Sequence, residues 1–302
     1  MIENNDYQAY HKPVLLNELI DYLDLKPNIN VIDATFGFGG HSLKIIEKIK
    51  PEGKILAFEW DPDVYQLGLR LLKEKQLMEK IKLINENFSK IKSVVAKEKF
   101  QKIYGVIFDL GLSSWHYDKS KRGFSFKENE FLDMRLNPEI KLTAFEIVNY
   151  FSKRELVEIL EKYGEEKEAE RIVNAIVEKR KKEKIQTTRE LAEIIKSVKK
   201  VKKKIHPATQ TFLALRNFIN QELENLQEGL DGALEVLEKG GRIVIITFHG
   251  LEDKVVKNFI NKWKKMKKIK ILTKSVIRPS LSEIKNNPRS RSAKLRAIQK
   301  LQ

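Results

Sequence analysis

Short apolar runs recur along the chain, and stretches with helical periodicity separate the early ones. Four runs rich in β-branched or aromatic residues predict buried strands at residues 30–34, 54–59, 104–109 and 241–248. Their near-continuous apolar character is typical of strands that are covered on both faces of a parallel sheet. Helical patterns at 42–50 and 63–75 separate the early strands. This alternation predicts a doubly wound α/β sheet.

Weaker β-like patterns extend this sheet. Residues 81–85 form a short alternating run after the second helix, and two further runs at 270–277 and 292–298 lie near the end of the sequence. The last two could pair with each other as a hairpin at the sheet edge.

The alternation of strands and helices stops between about residues 112 and 208. Helical patterns follow one another there, and three hydroxyl residues each precede a glutamate by three positions, as in a capping box: Thr143 with Glu146, Ser152 with Glu155, and Thr187 with Glu190. Gly164 is expected to end a helix over 154–163. A long helix over 208–237 would then lead back to the sheet.

These patterns predict two domains. Residues 1–112 and 209–302 would form a discontinuous α/β domain, and residues 113–208 would form an inserted all-helical domain. The chain of 302 residues is long enough for both without a disulfide or metal, and it contains no cysteine. A thiolate metal site and a cysteine nucleophile are therefore excluded.

No metal site and no membrane attachment are expected. The five histidines lack the spacing of metal ligands. The first ten residues are polar and acidic, and the longest apolar run, at 243–248, is far shorter than the ~20 residues of a membrane span. We expect a cytoplasmic protein.

Positive charge is concentrated near the end of the sequence. The net charge is +16, and residues 254–302 contain 16 lysines and arginines with a single acid, Glu283. Apolar residues are interleaved there, which indicates a folded segment with a basic outer face. A second basic run includes Lys202, Lys203 and Lys204. These lysines, with Arg289 and Arg291, are candidate phosphate contacts for a nucleic acid, although a solvated lysine-rich face has the same composition.

A glycine-rich turn follows the first predicted strand in the sequence DATFGFGGHS, residues 33–42. Glycines allow a ligand to approach the backbone closely, and the following helix offers unpaired N–H groups. Gly37 and Gly39 fit a dinucleotide fingerprint, but Ser42 occupies its third glycine position. S-adenosylmethionine (SAM) tolerates this variant, and Asp33 could bind its ammonium group. An ordinary tight turn is the other interpretation.

Two acids follow other predicted strands. Glu59 closes the second strand, where a carboxylate can accept hydrogen bonds from both ribose hydroxyls of an adenosine. Asp109 ends the third strand, at the carboxyl edge where ligands of such sheets bind. It could accept a hydrogen bond from an amine and so favour a nucleophilic, pyramidal nitrogen, or it could bind the cofactor alone.

Aromatic and basic residues cluster directly after Asp109. Trp115 and Arg122 could hold a base that has left its stack and clamp a phosphate. The rings of Phe124 and Phe126 are better explained as a core. A hydrolase that uses Ser113 with His249 is disfavoured, because the G-x-S-x-G pattern is absent.

Taken together, these motifs resemble one family, the MraW-type 16S rRNA cytosine-N4 methyltransferases, over nearly the whole chain. The matching segments are HKPVLL (11–16), DATFGFGGHS (33–42), DLGLSS (109–114), RGFSF (122–126), LDMR (132–135), YGEE (163–166), HPAT (206–209), TFHGLED (247–253) and NPRSRSAKLR (287–296). Many separate matches in one order are far more specific than a glycine-rich loop alone.

The resemblance implies a class I SAM-dependent methyltransferase with an inserted helical domain for RNA recognition. It implies methylation of the N4 amine of a cytidine in the decoding region of 16S rRNA within the small subunit, with SAM as cofactor. No obligate protein partner is evident from the sequence. By position it implies cofactor contacts from Gly39, Gly40, His41, Glu59, Phe88, Asp109 and His116.

The chain departs from the family pattern at a few positions. The family usually has Asp at the position of Glu59, Gln at that of His116 and Pro at that of Trp115. Phe38 stands where Arg is usual, and Gly250 stands where Ser is usual. Two other functions fit parts of the sequence: an RNA-binding assembly factor that does not catalyse, and an NAD-dependent oxidoreductase, which Ser42 and the basic tail disfavour.

Overall fold

The computed structural model describes residues 12–199 and 206–302. The chain forms two compact units, one from residues up to Gly111 with Leu223–Gln302, the other from Leu112–Glu222. We call them the sheet unit and the helical unit.

The strands of the described residues are β1 (Asn30–Asp33), β2 (Ile55–Phe58), β3 (Ile81–Ile84), β4 (Ile103–Asp109), β5 (Arg242–Thr247), β6 (Ile269–Ile271) and β7 (Lys294–Lys300). The helices are α1 (Leu16–Leu23), α2 (Gly40–Ile49), α3 (Pro62–Glu74), α4 (Ile91–Glu98), α5 (Ser114–Asp118), α6 (Ala144–Tyr150), α7 (Lys153–Gly164), α8 (Ala169–Lys182), α9 (Thr188–Val198), α10 (Thr209–Ile219), α11 (Glu222–Val236), α12 (Gly250–Lys265) and α13 (Leu281–Asn286). Two 3₁₀ turns lie at Phe88–Lys90 and Pro288–Ser292.

The sheet has seven strands in the order β3-β2-β1-β4-β5-β7-β6. The first five strands in the chain are parallel, and β7 runs antiparallel between β5 and β6. The strands predicted from apolar runs are confirmed, including the short β3 and the antiparallel pair at the edge. The strand order reverses beside β1, which creates the crevice where ligands of open α/β sheets bind.

Helices cover both faces of the sheet, so the sheet unit is doubly wound. On one face, buried residues of α4, α11 and α12 pack on the strands, among them Ile91, Leu230 and Phe259. On the other face, α1, α2 and α3 contribute Leu19, Ile45 and Leu72. Because both faces are buried, the central strands β1, β2, β4 and β5 carry few polar side chains between their first residues and their carboxyl ends.

The helical unit is built on local signals that the sequence contains. All three predicted capping boxes are present, at the N-termini of α6, α7 and α9. Helix α7 includes Gly164, and the left-handed residue is Glu165, with φ of 50°. Gly164 is needed for packing, because a Cβ there would lie 2.5 Å from the carbonyl oxygen of Gln210.

The predicted helix over 208–237 is wrong in one respect, because it is two helices, α10 and α11. Gln221 between them has a φ of 49°. The side chain of Asn220 accepts a hydrogen bond from Leu136 N at 2.7 Å and donates one to Met134 O at 2.8 Å. Helix α10 packs on α7, so the helical unit extends past residue 208 to Glu222.

Candidate active site

The glycine-rich loop connects β1 to α2, and the carboxylate of Asp33 fastens its two ends. One oxygen of Asp33 accepts a hydrogen bond from Thr35 N at 3.0 Å, and the other accepts one from the hydroxyl of Ser42 at 2.7 Å. Asp33 is buried, and this burial raises the pKa of its carboxyl, while the bond from Ser42 opposes the rise. Both oxygens of Asp33 are therefore engaged in holding the loop, so Asp33 fixes the loop conformation. This geometry does not favour its predicted contact with an ammonium group.

Two glycines of this loop have left-handed backbone conformations. The φ angles are 53° at Gly37 and 74° at Gly39. A Cβ at Gly39 would lie 2.9 Å from the ring of Phe36, whereas a Cβ at Gly37 would meet nothing within 4 Å. Gly39 is therefore required by packing, and the loop is open beside Gly37, as a ligand cradle must be.

Glu59 follows β2 and contacts the same loop. Its carboxylate accepts hydrogen bonds from Gly37 N at 3.0 Å and from Asp61 N at 2.9 Å. Burial raises the pKa of Glu59 to about 8, against the two N–H donors that lower it. The sequence placed Glu59 near the glycine loop, and the structure brings them into contact. Asp61 itself caps α3, because its carboxylate accepts a bond from Asp63 N at 2.9 Å.

Asp109 ends β4 beside the loop, and two residues hold it. The hydroxyl of Thr35 accepts a hydrogen bond from Asp109 N at 2.7 Å. The Nδ1 atom of His41, in the first turn of α2, lies 3.5 Å from Oδ2 of Asp109. The opposite nitrogen of the imidazole lies 3.1 Å from the carbonyl oxygen of Val14. The sequence analysis did not single out Thr35 or Val14. For Thr35, the available signal was a hydroxyl two residues after Asp33.

Phe88 begins the 3₁₀ turn after β3 and is half-buried. Its ring meets that of Phe108 edge to face, with 5.6 Å between the centroids. Gly229 in α11 makes room for it, because a Cβ there would lie 2.7 Å from the Phe88 ring. The ring is thus fixed near the carboxyl end of β4, which Asp109 terminates.

The sheet unit therefore brings together most of the predicted cofactor residues. Its carboxyl edge carries Gly37, Gly39, Gly40, His41, Glu59, Phe88 and Asp109. The other predicted contact, His116, lies in the helical unit, where its Nδ1 lies 2.9 Å from the hydroxyl of Ser113.

Trp115 and Arg122 do not present the open stacking surface that the sequence predicted. Trp115 is only 7% exposed. The guanidinium of Arg122 lies 5.7 Å from the centre of the Trp115 ring and donates hydrogen bonds to the carbonyls of Arg135 and Leu136. These bonds fix the chain around residue 135. They join residues 13 and 14 positions apart, which a local sequence pattern does not predict.

Of the two neighbouring rings, Phe124 lies in the core, as the sequence favoured, whereas Phe126 is only half-buried. Phe124 is buried and meets the His116 ring edge to face at 5.7 Å. The ring of Phe126 stacks on that of His206 at 4.2 Å and contacts Phe212.

The hydrolase interpretation finds no geometric support. Ser113 bonds His116, and His249 caps α12, where its Nδ1 accepts a bond from Glu252 N at 3.4 Å. Each of the two side chains is thus engaged locally.

The basic tail is folded, as its interleaved apolar residues predicted. It forms α12, β6, α13 and β7, and Phe259, Ile269 and Leu295 are buried. Arg289 and Arg291 are exposed on either side of the buried Ser290. Lys202, Lys203 and Lys204 lie outside the described residues.

Neither a metal cluster nor a membrane span is found in the described part of the chain. Within residues 12–199 and 206–302, no three histidine or acidic side chains converge as metal ligands would. In the same ranges, no helix combines the length and apolar character needed to cross a bilayer.

The fold and the site define the class of protein. A seven-stranded sheet of this order, with an antiparallel seventh strand, is that of the class I methyltransferases. The open glycine loop and the carboxylate after β2 suit an adenosine-containing cofactor.

Comparison with known proteins gives the family. The model of the MraW methylase family matches residues 8–301. The chain belongs to this family. The resemblance stated from the motifs is thereby confirmed.

Curated relatives agree over nearly the full length. A protein of Caldicellulosiruptor bescii is 41% identical over 307 aligned residues, which cover 96% of this chain and 99% of that protein. A protein of Persephonella marina is 43% identical, with the same coverage of 96% and 99%. A protein of Coxiella burnetii is 40% identical, again covering 96% and 99%. Each of the three is named ribosomal RNA small subunit methyltransferase H.

Proposed function

We propose that this protein transfers a methyl group from SAM to the ribosomal RNA of the small subunit, at the N4 amine of a cytidine in the decoding region of 16S rRNA. The observation that carries the proposal is the family match over residues 8–301, together with relatives that are named ribosomal RNA small subunit methyltransferase H. The choice of N4 and of the decoding region rests on the motif resemblance alone. Because the proposed substrate is ribosomal RNA, the proposed location of the protein is the cytoplasm.

The cofactor residues proposed are those at the carboxyl edge of the sheet. Glu59 would accept hydrogen bonds from the ribose hydroxyls, since a carboxylate after the second strand of such sheets does so. The open side of Gly37 leaves room for the ligand beside that carboxylate. When bound, SAM supplies a methyl carbon activated by its sulfonium. His116 remains a proposed contact from the family pattern.

Asp109 is the proposed acceptor for the substrate amine. The lone pair of an exocyclic amine is delocalised into the base, and an acceptor for one N–H favours the pyramidal nitrogen that can attack. Methylation leaves that nitrogen with a surplus proton, and a carboxylate at the same place can take it up. The bond from Asp109 N to Thr35 and the contact with His41 keep this carboxylate oriented.

RNA affinity is proposed to come from two sources. The basic tail, with Arg289 and Arg291, would neutralise phosphates and release counterions. The helical unit would contribute contacts that distinguish the target.

The test is nucleoside analysis of small-subunit rRNA. Small subunits from cells that lack the protein would be incubated with the purified chain and labelled SAM, and the modified nucleoside would be identified by mass spectrometry. The proposal expects one N4-methylated cytidine in 16S rRNA. Binding of the RNA without label transfer would identify an assembly factor instead, and label on another atom or on large-subunit RNA would overturn the assignment of the target.

A further inference from the structure

The helical unit exposes two large aromatic side chains that share a neighbour. Phe131 is 48% exposed and Tyr150 is 59% exposed. Both contact the ring of Phe145, with centroids 5.3 Å and 6.1 Å away, respectively. Single exposed apolar side chains are ordinary, but exposed rings in contiguous contact form a patch that indicates binding.

The backbone beneath these rings is held firmly. Phe131 pairs with Thr187 in an antiparallel bridge, which the hydrogen bond from Leu132 N to Gln186 O, 3.0 Å, reinforces. The side chain of Asn149 bonds both backbone groups of Ile185, at 2.8 Å and 2.9 Å. The rings are therefore held on a fixed backbone, which lowers the entropic cost of binding a ligand.

Basic side chains lie next to the patch. The ammonium of Lys184 lies 4.3 Å from the centre of the Tyr150 ring and also contacts its hydroxyl. Lys153, Arg154 and Arg189 are exposed on the adjoining helix starts.

The acids of the same helix starts are occupied by backbone donors. Glu146 accepts a bond from Thr143 N at 2.8 Å, Glu155 accepts one from Ser152 N at 2.8 Å, and Glu190 accepts one from Gln186 N at 2.7 Å. These carboxylates cap the helix starts and keep their negative charge, so the phosphate contact is assigned to Lys184 beside the exposed rings.

We propose that Phe131, Phe145, Tyr150 and Lys184 form a stacking platform for unpaired bases of the RNA substrate. The inference rests on the proposed function, since it takes ribosomal RNA as the ligand, and it adds the part of the RNA that is bound. Rings stack on bases that are splayed out in single-stranded RNA, whereas a paired A-form helix offers only its backbone and grooves. Lys184 would contact the phosphate next to a stacked base.

The test compares variants of the full chain in RNA binding. The double variant Phe131→Ala/Tyr150→Ala should bind small-subunit rRNA about tenfold more weakly or worse, because each stacked base contributes substantially to affinity. Its slope of affinity against salt should match wild type, since no phosphate contact is removed. Lys184→Ala should reduce that slope by about one.

Two controls separate stacking from folding. Tyr104→Ala removes a ring that is 39% exposed in the sheet unit and should leave RNA affinity unchanged. Phe131→Tyr/Tyr150→Phe keeps two flat rings and should bind like wild type. The affinity for SAM and kcat at saturating RNA should stay at wild-type values in all variants, while KM for RNA rises only in Phe131→Ala/Tyr150→Ala and in Lys184→Ala.

The platform is overturned if the double alanine variant, with an unchanged melting temperature, binds the RNA within twofold of wild type. It is also overturned if the ring-preserving variant loses as much affinity as the alanine variant. If the double variant does not fold, Tyr150→Ala alone is judged by the same limits, because Tyr150 is the more exposed ring. A wild-type chain that neither binds nor methylates small-subunit rRNA would refute the proposed function itself, which is a different result.

Discussion

His41 touches Asp109 with one ring nitrogen and the backbone of Val14 with the other. The distances are 3.5 Å from Nδ1 to the carboxylate and 3.1 Å from Nε2 to the carbonyl oxygen. A carbonyl can only accept a hydrogen bond, so Nε2 must carry the hydrogen. The imidazole is thus held between the Val14 carbonyl and the Asp109 carboxylate, and His41 positions that carboxylate.

Replacing His41 should impair turnover. In His41→Ala, Asp109 loses the ring that orients it, and kcat should fall about a hundredfold, the order expected for a misplacement of about 1 Å. Single-turnover methyl transfer at saturating SAM measures this. His41→Asn, whose amide can still donate to one of the two acceptors, should retain more activity than alanine. A kcat for His41→Ala equal to that of wild type would contradict this role.

Cofactor binding should depend on pH through Glu59. Its pKa of about 8 in the free protein lies above the ordinary 4.5, because burial disfavours the charged form. Ribose hydroxyls donate to the ionised carboxylate, so SAM binding should release a proton near pH 7. Affinity should then rise with pH and level off above about 8. Calorimetry in two buffers of different ionisation enthalpy measures the released proton.

Glu59→Gln should remove this pH dependence and weaken SAM binding about tenfold, since a charge-assisted bond is lost. The same shift has a consequence for stability. The unfolded chain loses this proton near pH 4.5 and the folded chain near 8, so the contribution of Glu59 to stability falls as pH rises between these values. A proton release that persists in Glu59→Gln would assign it to another group.

Local signals explain what the sequence predicted correctly. Strands such as β4 and β5 are buried on both faces and read as apolar runs, and capping boxes such as Thr143 with Glu146 need only four residues. The features that escaped prediction depend on distant partners. Asn220 breaks a helix by bonding Leu136, and Arg122 is engaged by carbonyls near residue 135.

In the candidate site too, local signals predicted some residues and contacts with distant partners hid others. The glycine loop, Glu59 and Asp109 were singled out because each lies at the end of a predicted strand or directly after one. The roles of Thr35 and of the Val14 carbonyl were not, since they arise from side-chain and backbone contacts across the sheet edge.

The stability of the helical unit should be sensitive to the loss of one partner of a buried ion pair. The Lys199 ammonium lies 2.6 Å from the carboxylate of Glu166, whose side chain is 1% exposed, and also donates to Pro207 O and Gln210. Lys199→Ala leaves a buried carboxylate without its counter-ion and should cost about 3 kcal/mol. Urea unfolding measures it.

Two variants judge that interpretation. Lys199→Met/Glu166→Gln removes both charges and should recover part of the loss. The exposed Lys196, in the last turn of α9 just before Lys199, should be replaceable by alanine within about 0.5 kcal/mol. Equal losses in Lys199→Ala and the double variant would show that the charge is not the cause.

Binding of RNA should weaken steeply with salt, and the exposed Arg289 and Arg291 should contribute to the slope. Removing both should lower the slope of log affinity against log salt by about two and reduce affinity for specific and unspecific RNA alike. Filter binding over a salt series measures this. An unchanged slope would move the phosphate contacts to other parts of the basic surface.

The most direct test of the account is the activity of Asp109→Asn at saturating SAM. We predict that this variant binds SAM within about threefold of wild type by calorimetry. We also predict that it transfers methyl to small-subunit rRNA at least about a hundredfold more slowly, because a neutral amide is a poor acceptor for the amine and its proton. Wild-type turnover in Asp109→Asn, or a loss of SAM affinity that accounts for the whole loss of rate, would contradict Asp109 as the acceptor.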